Sequence, residues 1–267
     1  MMSLKTWLEK YSEIAKFMGY DIERDRRATR ILAGIIKTYR LDPPLGMLKE
    51  LLSDKPTMIF GAGPSLDETI DGLLQISPDF SQRFTLITAD GATQALVERK
   101  KVPHIVVTDL DGDIDALLYS AERGSIIVVH AHGDNIEKIT QYMGKIASTT
   151  RLIIGTTQVE PVSPLQNFGG FTDGDRAVFM ASYYKAALII LVGMDFGRIV
   201  GKRSKPWLTH ETIAWEDKLK KLEIAYKLIS QLALEFDLKI YTTSEIAPPG
   251  TKRVCLEEIN KIVGGRH

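Results

Sequence analysis

Apolar side chains recur at helical spacing through the first part of the chain. The pattern runs from Leu4 to about Tyr39 and predicts two amphipathic helices. Pro43-Pro44 interrupts it before another short helix, predicted from Leu45 to Leu52. We therefore predict a helical amino-terminal cap over residues 1–54, followed by an α/β domain over residues 55–267.

From Thr57 onward, short apolar runs alternate with helix-like stretches, a pattern typical of βαβ units. Most runs are apolar throughout, which indicates strands covered by helices on both faces. The predicted strands are Thr57 to Phe60, Phe84 to Ala89, His104 to Thr108, Ser125 to His130, Arg151 to Gly155, Ala187 to Val192 and Lys239 to Thr242. The predicted helices between them include Gly91 to Arg99, Asp134 to Met143, Asp175 to Lys185 and Ile213 to Phe236. This order predicts a Rossmann-like, mostly parallel sheet whose ligand site lies beyond the carboxyl ends of the strands.

Composition and charge narrow the possible partners. The chain has 267 residues, of which 44% are hydrophobic and 25% charged, as in ordinary globular proteins. Lys plus Arg and Asp plus Glu are equal at 34 each, so no overall field favours nucleic acid or an anionic membrane. The single cysteine, Cys255, excludes an internal disulfide, and no apolar run approaches the roughly 20 residues of a membrane span. We therefore expect a cytoplasmic protein that binds neither nucleic acid nor a membrane.

Aspartates follow two neighbouring predicted strands. Asp90-Gly91-Ala92 ends one strand, and Asp109-Leu110-Asp111-Gly112-Asp113 directly follows the next. In an extended segment Asp109 and Asp111 project to the same side, and Gly112 permits a sharp turn after them. Crowded carboxylates repel one another unless a hard cation such as Mg²⁺ binds them, although solvated turn aspartates would show the same pattern. We predict Asp90, Asp109 and Asp111 as Mg²⁺ ligands.

A glycine-rich loop precedes another predicted helix and adds a fourth acid. Gly169-Gly170 lead into Thr172-Asp173-Gly174-Asp175. Thr172 and Asp173 suit helix capping, and they equally suit contact with a metal-bound phosphate at a helix amino terminus. We predict Asp173 as the fourth metal ligand and Thr172 as a phosphate contact.

The turn after the first strand favours phosphate binding through the backbone. It contains Gly61, Gly63, Pro64 and Ser65 directly before a predicted helix. Their free amides would suit a phosphate, although a simple helix cap explains the same residues. The turn has neither the third glycine of a dinucleotide fingerprint nor the lysine of a P-loop.

Basic side chains supply the remaining predicted phosphate contacts. Lys202, Arg203 and Lys205 lie in a loop bounded by Gly201 and Pro206, where they would neutralise a polyphosphate unless the loop is simply solvated. His132 follows the fourth strand two residues after another histidine, but no third strong ligand indicates zinc. Phosphate contact or helix capping is the expected role of His132.

These segments resemble those of thiamin pyrophosphokinases. Asp90-Gly91-Ala92, Asp109-Leu110-Asp111 and Thr172-Asp173 occur in the order and at the strand ends where that family holds Mg²⁺ and ATP. Thr108 and Gly112 stand where that family has Gly and Ser. The carboxyl-terminal β-sandwich of the thiamin enzymes has no counterpart here, which disfavours thiamin as a substrate.

The chain more closely resembles the archaeal type of 6-hydroxymethyl-7,8-dihydropterin pyrophosphokinase, which has the thiamin enzyme's catalytic fold with a helical amino-terminal part. The segments that carry the resemblance are Gly61 to Leu66, Thr108 to Asp113, His130 to Asn135, Asn167 to Asp175 and Asp195 to Lys205. The resemblance implies transfer of diphosphate from ATP to the pterin hydroxymethyl group, with release of AMP, in the synthesis of a tetrahydromethanopterin or folate type of cofactor.

The resemblance also implies roles for the candidate residues. We expect Asp109, Asp111, Asp173 and Lys202 to act in catalysis, with Mg²⁺ bound by the aspartates. The residues expected to hold ATP are Gly61, Gly63, Pro64, Ser65, Asp90, Gly91, Thr172, His132, Arg203 and Lys205. Asn167 and Asp195 are weaker candidates for contact with the pterin edge.

Three alternatives stay open at this point. The first is a thiamin pyrophosphokinase, in which thiamin is the acceptor of the diphosphate. The second is a nucleotide-sugar glycosyltransferase, because the Gly-x-Gly-Pro-Ser turn also resembles the turn of some sialyltransferase-like and flagellin-modifying proteins. The third alternative is a non-catalytic nucleotide-sensing module. A homodimer through the helical segment is a further expectation, which no residue pattern supports.

Overall fold

A computed structural model describes residues 2–236 and 238–264 of the chain. The α-helices are α1 (Leu4–Met18), α2 (Ile22–Thr38), α3 (Leu45–Leu52), α4 (Leu66–Ile76), α5 (Phe80–Arg83), α6 (Ala92–Glu98), α7 (Ile114–Glu122), α8 (Ile136–Thr149), α9 (Asp173–Tyr183), α10 (Glu216–Glu235) and α11 (Leu256–Gly264). The strands are β1 (Pro56–Phe60), β2 (Thr85–Ala89), β3 (Ile105–Thr108), β4 (Ile126–Ala131), β5 (Ile153–Thr157), β6 (Leu188–Val192), β7 (Ile199–Val200), β8 (Thr212–Ile213), β9 (Ile240–Thr242) and β10 (Lys252–Arg253).

Eight of the strands form one sheet in the order β10-β9-β6-β1-β2-β3-β4-β5, and every pairing in it is parallel. The predicted α/β fold is therefore confirmed, and each predicted strand matches one of β1 to β6 or β9 closely. The strand order reverses between β1 and β6, so a crevice opens beyond their carboxyl ends. The short strand β10 and the antiparallel hairpin of β7 and β8 were not predicted, because two residues carry no periodic pattern.

The sheet is buried on both faces. Ile59, Ile87 and Ile105 point to one face and pack with residues of α1, α9 and α10. Neighbouring side chains such as Met58 and Val106 point to the other face, where α4, α6 and α11 or α2, α7 and α8 cover them. Strands buried in this way have to be apolar at every position, which is why they read as continuous apolar runs.

The amino-terminal helices lie on opposite faces of this sheet. Trp7 and Tyr11 of α1 belong to the core on one face, whereas Leu32 and Ile36 of α2 belong to the core on the other face. The link between them is short because Gly19 ends α1 at a φ of 71° and Asp21 caps α2 by accepting from the amide of Glu23. The division into a cap of residues 1–54 and a catalytic domain stays a prediction. Among the described residues, no helix combines the length and apolar character needed to cross a membrane.

Trp7 tests whether α1 is part of the main core. Its indole is 2% exposed, donates to the carbonyl of Gln158 at 3.0 Å and packs edge-on against Phe179. We expect Trp7→Ala to lower the free energy of unfolding of the whole chain by about 3–5 kcal/mol, in a single urea transition. Phe17→Ala on the same helix is the control, since Phe17 is 59% exposed and its loss should change stability by about 0.5 kcal/mol or less. A separate early transition confined to the helices would instead indicate an independent cap.

Candidate active site

A cavity of about 180 Å³ opens where β1, β2, β3 and β6 end. It is closed by the amino terminus of α9, one side of α10 and the loop after β7. The predicted site residues that line it are Gly61, Gly63, Asp90, Gly91, Asp109, Asp111, His132, Thr172, Asp173 and Lys205. Segments that are far apart in the chain therefore meet at one edge of the sheet.

Three carboxylates form the centre of this cavity. Asp90, Asp109 and Asp173 each offer an oxygen that lies within 4.8 Å of the oxygens of the other two. The Oδ1 atom of Asp109 is buried and has no hydrogen-bond partner among the described residues. Oxygen-only donors with an unpartnered carboxylate oxygen suit a hard divalent cation such as Mg²⁺.

Asp111 lines the same cavity but lies outside this group of three. Its carboxylate accepts from the ammonium of Lys205, and Lys138 lies 3.9 Å away. The extended conformation expected over residues 109–111 is wrong, because Leu110 has a left-handed φ of 67°. Asp109 and Asp111 consequently do not project side by side.

The charges of the three central carboxylates are strongly coupled. Burial, contact with Asp111 and the charge of Asp109 raise the pKa of Asp90 well above its usual value. Burial and the charge of Asp109 also raise the pKa of Asp173 to about 7, although Arg176 opposes this shift. Burial disfavours ionisation of Asp109 too, but His132 outweighs it and holds the Asp109 pKa below its usual value. A bound divalent cation would favour the ionised form of the whole group.

Thr108 and Gly112 hold Asp90 in place. The Thr108 hydroxyl donates to the Oδ1 atom of Asp90 at 2.6 Å and accepts from the amide of Leu110 at 2.8 Å. Asp90 has a φ of 40°, so both it and Leu110 are held in an unfavourable backbone conformation at the site. A β-carbon on Gly112 would lie only 2.7 Å from the same Asp90 oxygen, so a glycine is needed there.

Asp109 and Asp173 have their own partners. His132 places its Nε2 atom 3.2 Å from the Oδ2 atom of Asp109, while its Nδ1 atom accepts from the amide of Asp134. Since Nδ1 is the acceptor, Nε2 carries the hydrogen and donates to Asp109. Arg176 donates from NH1 to the Oδ1 atom of Asp173 at 2.9 Å. His132 and Arg176 thus orient the two carboxylates toward the cavity.

The turn after β1 uses its donors within the protein. The amides of Gly61 and Gly63 donate to the carbonyls of Val192 and Gly193. The amide and the hydroxyl of Ser65 both donate to the carboxylate of Asp195, at 2.8 and 2.9 Å. Asp195 therefore occupies the amino terminus of α4, where a phosphate was predicted. A phosphate could bind Ser65 only by displacing Asp195, and neither Ser65 nor Pro64 lines the cavity.

The three basic residues predicted to bind phosphate, in the loop bounded by Gly201 and Pro206, have different surroundings. Lys205 lines the cavity, whereas Lys202 and Arg203 do not. Lys202 pairs with Asp67 at 3.2 Å, and Arg203 pairs with Asp67 at 2.9 Å and with Glu98 at 2.6 Å. The predicted phosphate contacts of Lys202 and Arg203 therefore compete with these ion pairs.

The sequence did not predict a role for α10 in the site. Lys218 and Lys221 line the cavity, and Lys218 donates to the hydroxyl of Ser204 at 3.1 Å. Burial and the charges of Lys205 and Lys221 lower the pKa of Lys218 to about 8. The only local signal was two lysines three residues apart, which ordinary surface helices also show.

An aromatic and apolar wall adjoins these lysines. Tyr20 and Phe171 lie with their ring centroids 6.1 Å apart, and the ammonium of Lys221 lies 5.9 Å from the Tyr20 ring. Phe196 and Leu222 line the same cavity. The cavity thus joins an acidic centre, two half-buried lysines and a surface suited to a planar ring.

Known proteins resemble the chain over most of its length. A model of the MptE-like family, described as 6-hydroxymethylpterin diphosphokinase MptE-like, matches residues 32–201. A relative from Pyrococcus furiosus is 45% identical, with 86% of this chain and 94% of the relative covered. A relative from Methanocaldococcus jannaschii is 39% identical, with 89% and 99% covered. Both relatives are named 6-hydroxymethyl-7,8-dihydropterin pyrophosphokinase.

A solved structure also resembles the chain. It is described as MAf glycosyltransferase from Magnetospirillum magneticum AMB-1 and superposes with a TM-score of 0.49. The two proteins are 15% identical, and the match covers 77% of this chain and 34% of the other.

Gly112→Ala tests the acidic centre as a cation site. The new methyl group would push the Asp90 carboxylate away from Asp109 and Asp173, so we expect Mn²⁺ to bind roughly tenfold more weakly. Electron paramagnetic resonance of free Mn²⁺ measures this affinity directly. Gly34→Ala in α2 is the control, because a β-carbon there meets no atom within 4 Å. Equal Mn²⁺ affinity in the two variants would contradict the assignment.

Proposed function

The chain belongs to the MptE-like family of 6-hydroxymethylpterin diphosphokinases, and we propose that it transfers diphosphate from ATP to 6-hydroxymethyl-7,8-dihydropterin. AMP is the second product, and the reaction belongs to the synthesis of a pterin cofactor of the tetrahydromethanopterin or folate type. The observation that carries this proposal within the structure is the acidic centre of Asp90, Asp109 and Asp173, which shares one cavity with Lys205 and Lys218. A site that holds a metal-bound polyphosphate needs both kinds of charge.

In the proposed reaction the hydroxymethyl oxygen of the pterin attacks the β-phosphorus of ATP. A new bond forms between that oxygen and the β-phosphorus, and the bond from the β-phosphorus to the oxygen that bridges it to the α-phosphorus breaks. AMP leaves with that bridging oxygen, while the hydroxyl proton passes to a carboxylate of the acidic centre. Because little covalent chemistry is required of the protein, its contribution is to position the reactants and to neutralise charge.

We assign the binding of Mg²⁺ to Asp90, Asp109 and Asp173. When bound there, Mg²⁺ would neutralise charge on the phosphate oxygens and lower the pKa of the attacking hydroxyl group. His132 and Arg176 keep two of these carboxylates in position, at 3.2 and 2.9 Å. Lys205 and Lys218 stabilise the negative charge that moves onto the leaving phosphate.

The aromatic wall is our proposed binding surface for a planar ring of one substrate. Tyr20, Phe171, Phe196 and Leu222 lie beside Lys218 and Lys221, so a ring packed there keeps its attached group close to the lysines. A cytoplasmic location, a homodimer and the absence of a nucleic-acid partner stay predictions.

Product formation tests the proposed function directly. The purified chain is incubated with ATP, Mg²⁺ and either 6-hydroxymethyl-7,8-dihydropterin or thiamin, and AMP and the diphosphorylated acceptor are measured by chromatography. We expect AMP and pterin diphosphate in equal amounts and no product from thiamin. AMP formation with thiamin alone would identify a thiamin pyrophosphokinase, and ATP binding without AMP from either acceptor would favour a nucleotide sensor.

Asp109→Asn should abolish most of this activity. The substitution replaces the unpartnered carboxylate oxygen and removes the negative charge that Mg²⁺ requires, so we expect AMP release to fall about 100- to 1000-fold. Asp115→Asn is the matched control, because Asp115 is exposed on the neighbouring helix α7 and should leave turnover near that of the unmodified chain. Near-normal turnover in Asp109→Asn would exclude Asp109 as a metal ligand.

The lowered pKa of Lys218 predicts that activity decreases at alkaline pH. Its pKa is lowered to about 8, so the side chain is charged below that pH and becomes neutral above it. The charged form binds phosphate, so kcat/KM for ATP should fall as the pH rises through about 8. Lys218→Arg keeps the charge at alkaline pH and should remove this decline, even if it lowers the plateau. A decline of the same shape in Lys218→Arg would assign it to another group.

A further inference from the structure

We propose that Asp25, in helix α2, positions two metal-binding carboxylates through hydrogen bonds that reach Asp173 and Asp109. The inference rests on the metal-binding role proposed above for these two residues. Asp25 is 3% exposed and does not line the cavity. It is therefore a positioning residue, and it gives the amino-terminal helices a direct part in the site.

The longer branch runs from Asp25 to Asp173 through three side chains. Tyr11 donates its hydroxyl hydrogen to the Oδ2 atom of Asp25, and Gln158 donates from Nε2 to the Tyr11 hydroxyl at 2.7 Å. Arg176 donates from NH2 to the Oε1 atom of Gln158 at 3.0 Å. The same guanidinium donates from NH1 to Asp173 at 2.9 Å, so the branch ends at the acidic centre.

Every hydrogen bond between Arg176 and Asp25 points in the same direction. The Asp25 carboxylate accepts hydrogen bonds from the Tyr11 hydroxyl and from the Gly133 amide, so it acts only as an acceptor. Burial and the nearby charge of Asp25 raise the pKa of Tyr11, which therefore remains a neutral phenol that donates to Asp25. The Tyr11 oxygen then accepts from the amide nitrogen of Gln158, which turns the amide oxygen toward Arg176. The acceptor at Asp25 thus sets the orientation of Gln158.

The shorter branch runs from Asp25 to Asp109. The Oδ1 atom of Asp25 accepts from the amide of Gly133 at 2.7 Å. Gly133 directly follows His132, whose Nε2 atom lies 3.2 Å from the Oδ2 atom of Asp109. Gly133 is also packed against α2, since a β-carbon there would lie 2.7 Å from the side chain of Arg24. One residue of α2 is therefore linked to two of the three carboxylates.

The side chains of the longer branch are largely shielded from bulk solvent, although Gln158 and Arg176 also line the cavity. Tyr11 is 1% exposed, Gln158 2% and Arg176 9%. Trp7 donates to the carbonyl of Gln158 at 3.0 Å, which fixes the backbone of this residue as well. In a buried network, a missing acceptor leaves a donor unpaired and forces its neighbours to rearrange.

Asp25→Asn keeps the shape of the side chain but should reverse which groups donate and which accept in the hydrogen bonds of the longer branch. The oxygen of the new amide can still accept from Gly133, so its nitrogen faces Tyr11. Tyr11 must then accept there and donate to Gln158, whose amide has to rotate. Rotation brings the Gln158 nitrogen toward the guanidinium of Arg176, so two donors face each other and Arg176 can no longer hold Asp173 in the same position.

Mn²⁺ binding to the full chain, measured by electron paramagnetic resonance without substrates, tests the inference. We expect Asp25→Asn to weaken Mn²⁺ binding roughly 10- to 100-fold, as for other residues that orient a metal ligand. Tyr11→Phe removes one hydrogen bond and should weaken binding about fivefold. The control is Thr29→Val on the same helix, which removes buried hydrogen bonds to Thr157 and to the backbone carbonyl of Asp25. It leaves every side-chain hydrogen bond of the two branches in place, so Mn²⁺ affinity should be unchanged.

A double-mutant cycle separates this positioning role from general destabilisation. If Tyr11 transmits the effect, Asp25→Asn should weaken Mn²⁺ binding less in the Tyr11→Phe background than in the unmodified chain. Fully additive losses, or equal Mn²⁺ affinity in Asp25→Asn and Thr29→Val, would overturn the proposal. Should Asp25→Asn fail to fold, unchanged Mn²⁺ affinity in Tyr11→Phe would overturn it as well. Failure of the proposed function would give a different result: the unmodified chain would bind Mn²⁺ but release no AMP from ATP.

Discussion

Electrostatic repulsion among carboxylates at one edge of the sheet is the constraint on which the rest of the site depends. Asp90, Asp109 and Asp173 each place a carboxylate oxygen within 4.8 Å of the oxygens of the other two. The three residues are partly buried, and uncompensated negative charge is unfavourable there. Arg176 compensates part of this charge, His132 donates a hydrogen bond to Asp109, and Lys205 adds a positive charge from the loop that closes the cavity. In the proposed function, a divalent cation bound by the three carboxylates would compensate the rest.

The compensation of this charge explains why parts remote from the sheet edge belong to the site. Helix α9 brings Asp173 and Arg176 to the edge on consecutive turns, and α10 adds Lys218. The amino-terminal helices cover opposite faces of the sheet and reach the same centre through Tyr11 and Asp25. Packing of the core and placement of charge are therefore achieved by the same elements.

The glycine-rich turn after β1 uses its hydrogen-bond donors within the protein. The amide and hydroxyl of Ser65 are taken by Asp195, so the amino terminus of α4 already has an anion from the protein itself. Gly63 is required because a β-carbon would meet this carboxylate at 2.4 Å. In the proposed function, the positive charge available to a polyphosphate comes from Lys205 and Lys218, which line the same cavity as the acidic centre.

The sequence by itself determined the parallel α/β fold and the meeting of Asp90, Asp109 and Asp173, though not the place of Asp111 outside this group. Apolar runs identify buried strands, and parallel strands end at one edge of a sheet. Tertiary structure alone decided the contacts of side chains on helices and loops. The pattern of α10 shows which side of the helix is buried but not that Lys218 lines the same cavity as Asp111 and Asp173. Likewise, the charges of Lys202 and Arg203 are plain in the sequence, whereas their pairing with Asp67 depends on how the loop packs against Gly91. Local patterns record burial and charge, but the partner of each charge comes from a distant part of the chain and is set only when the elements pack.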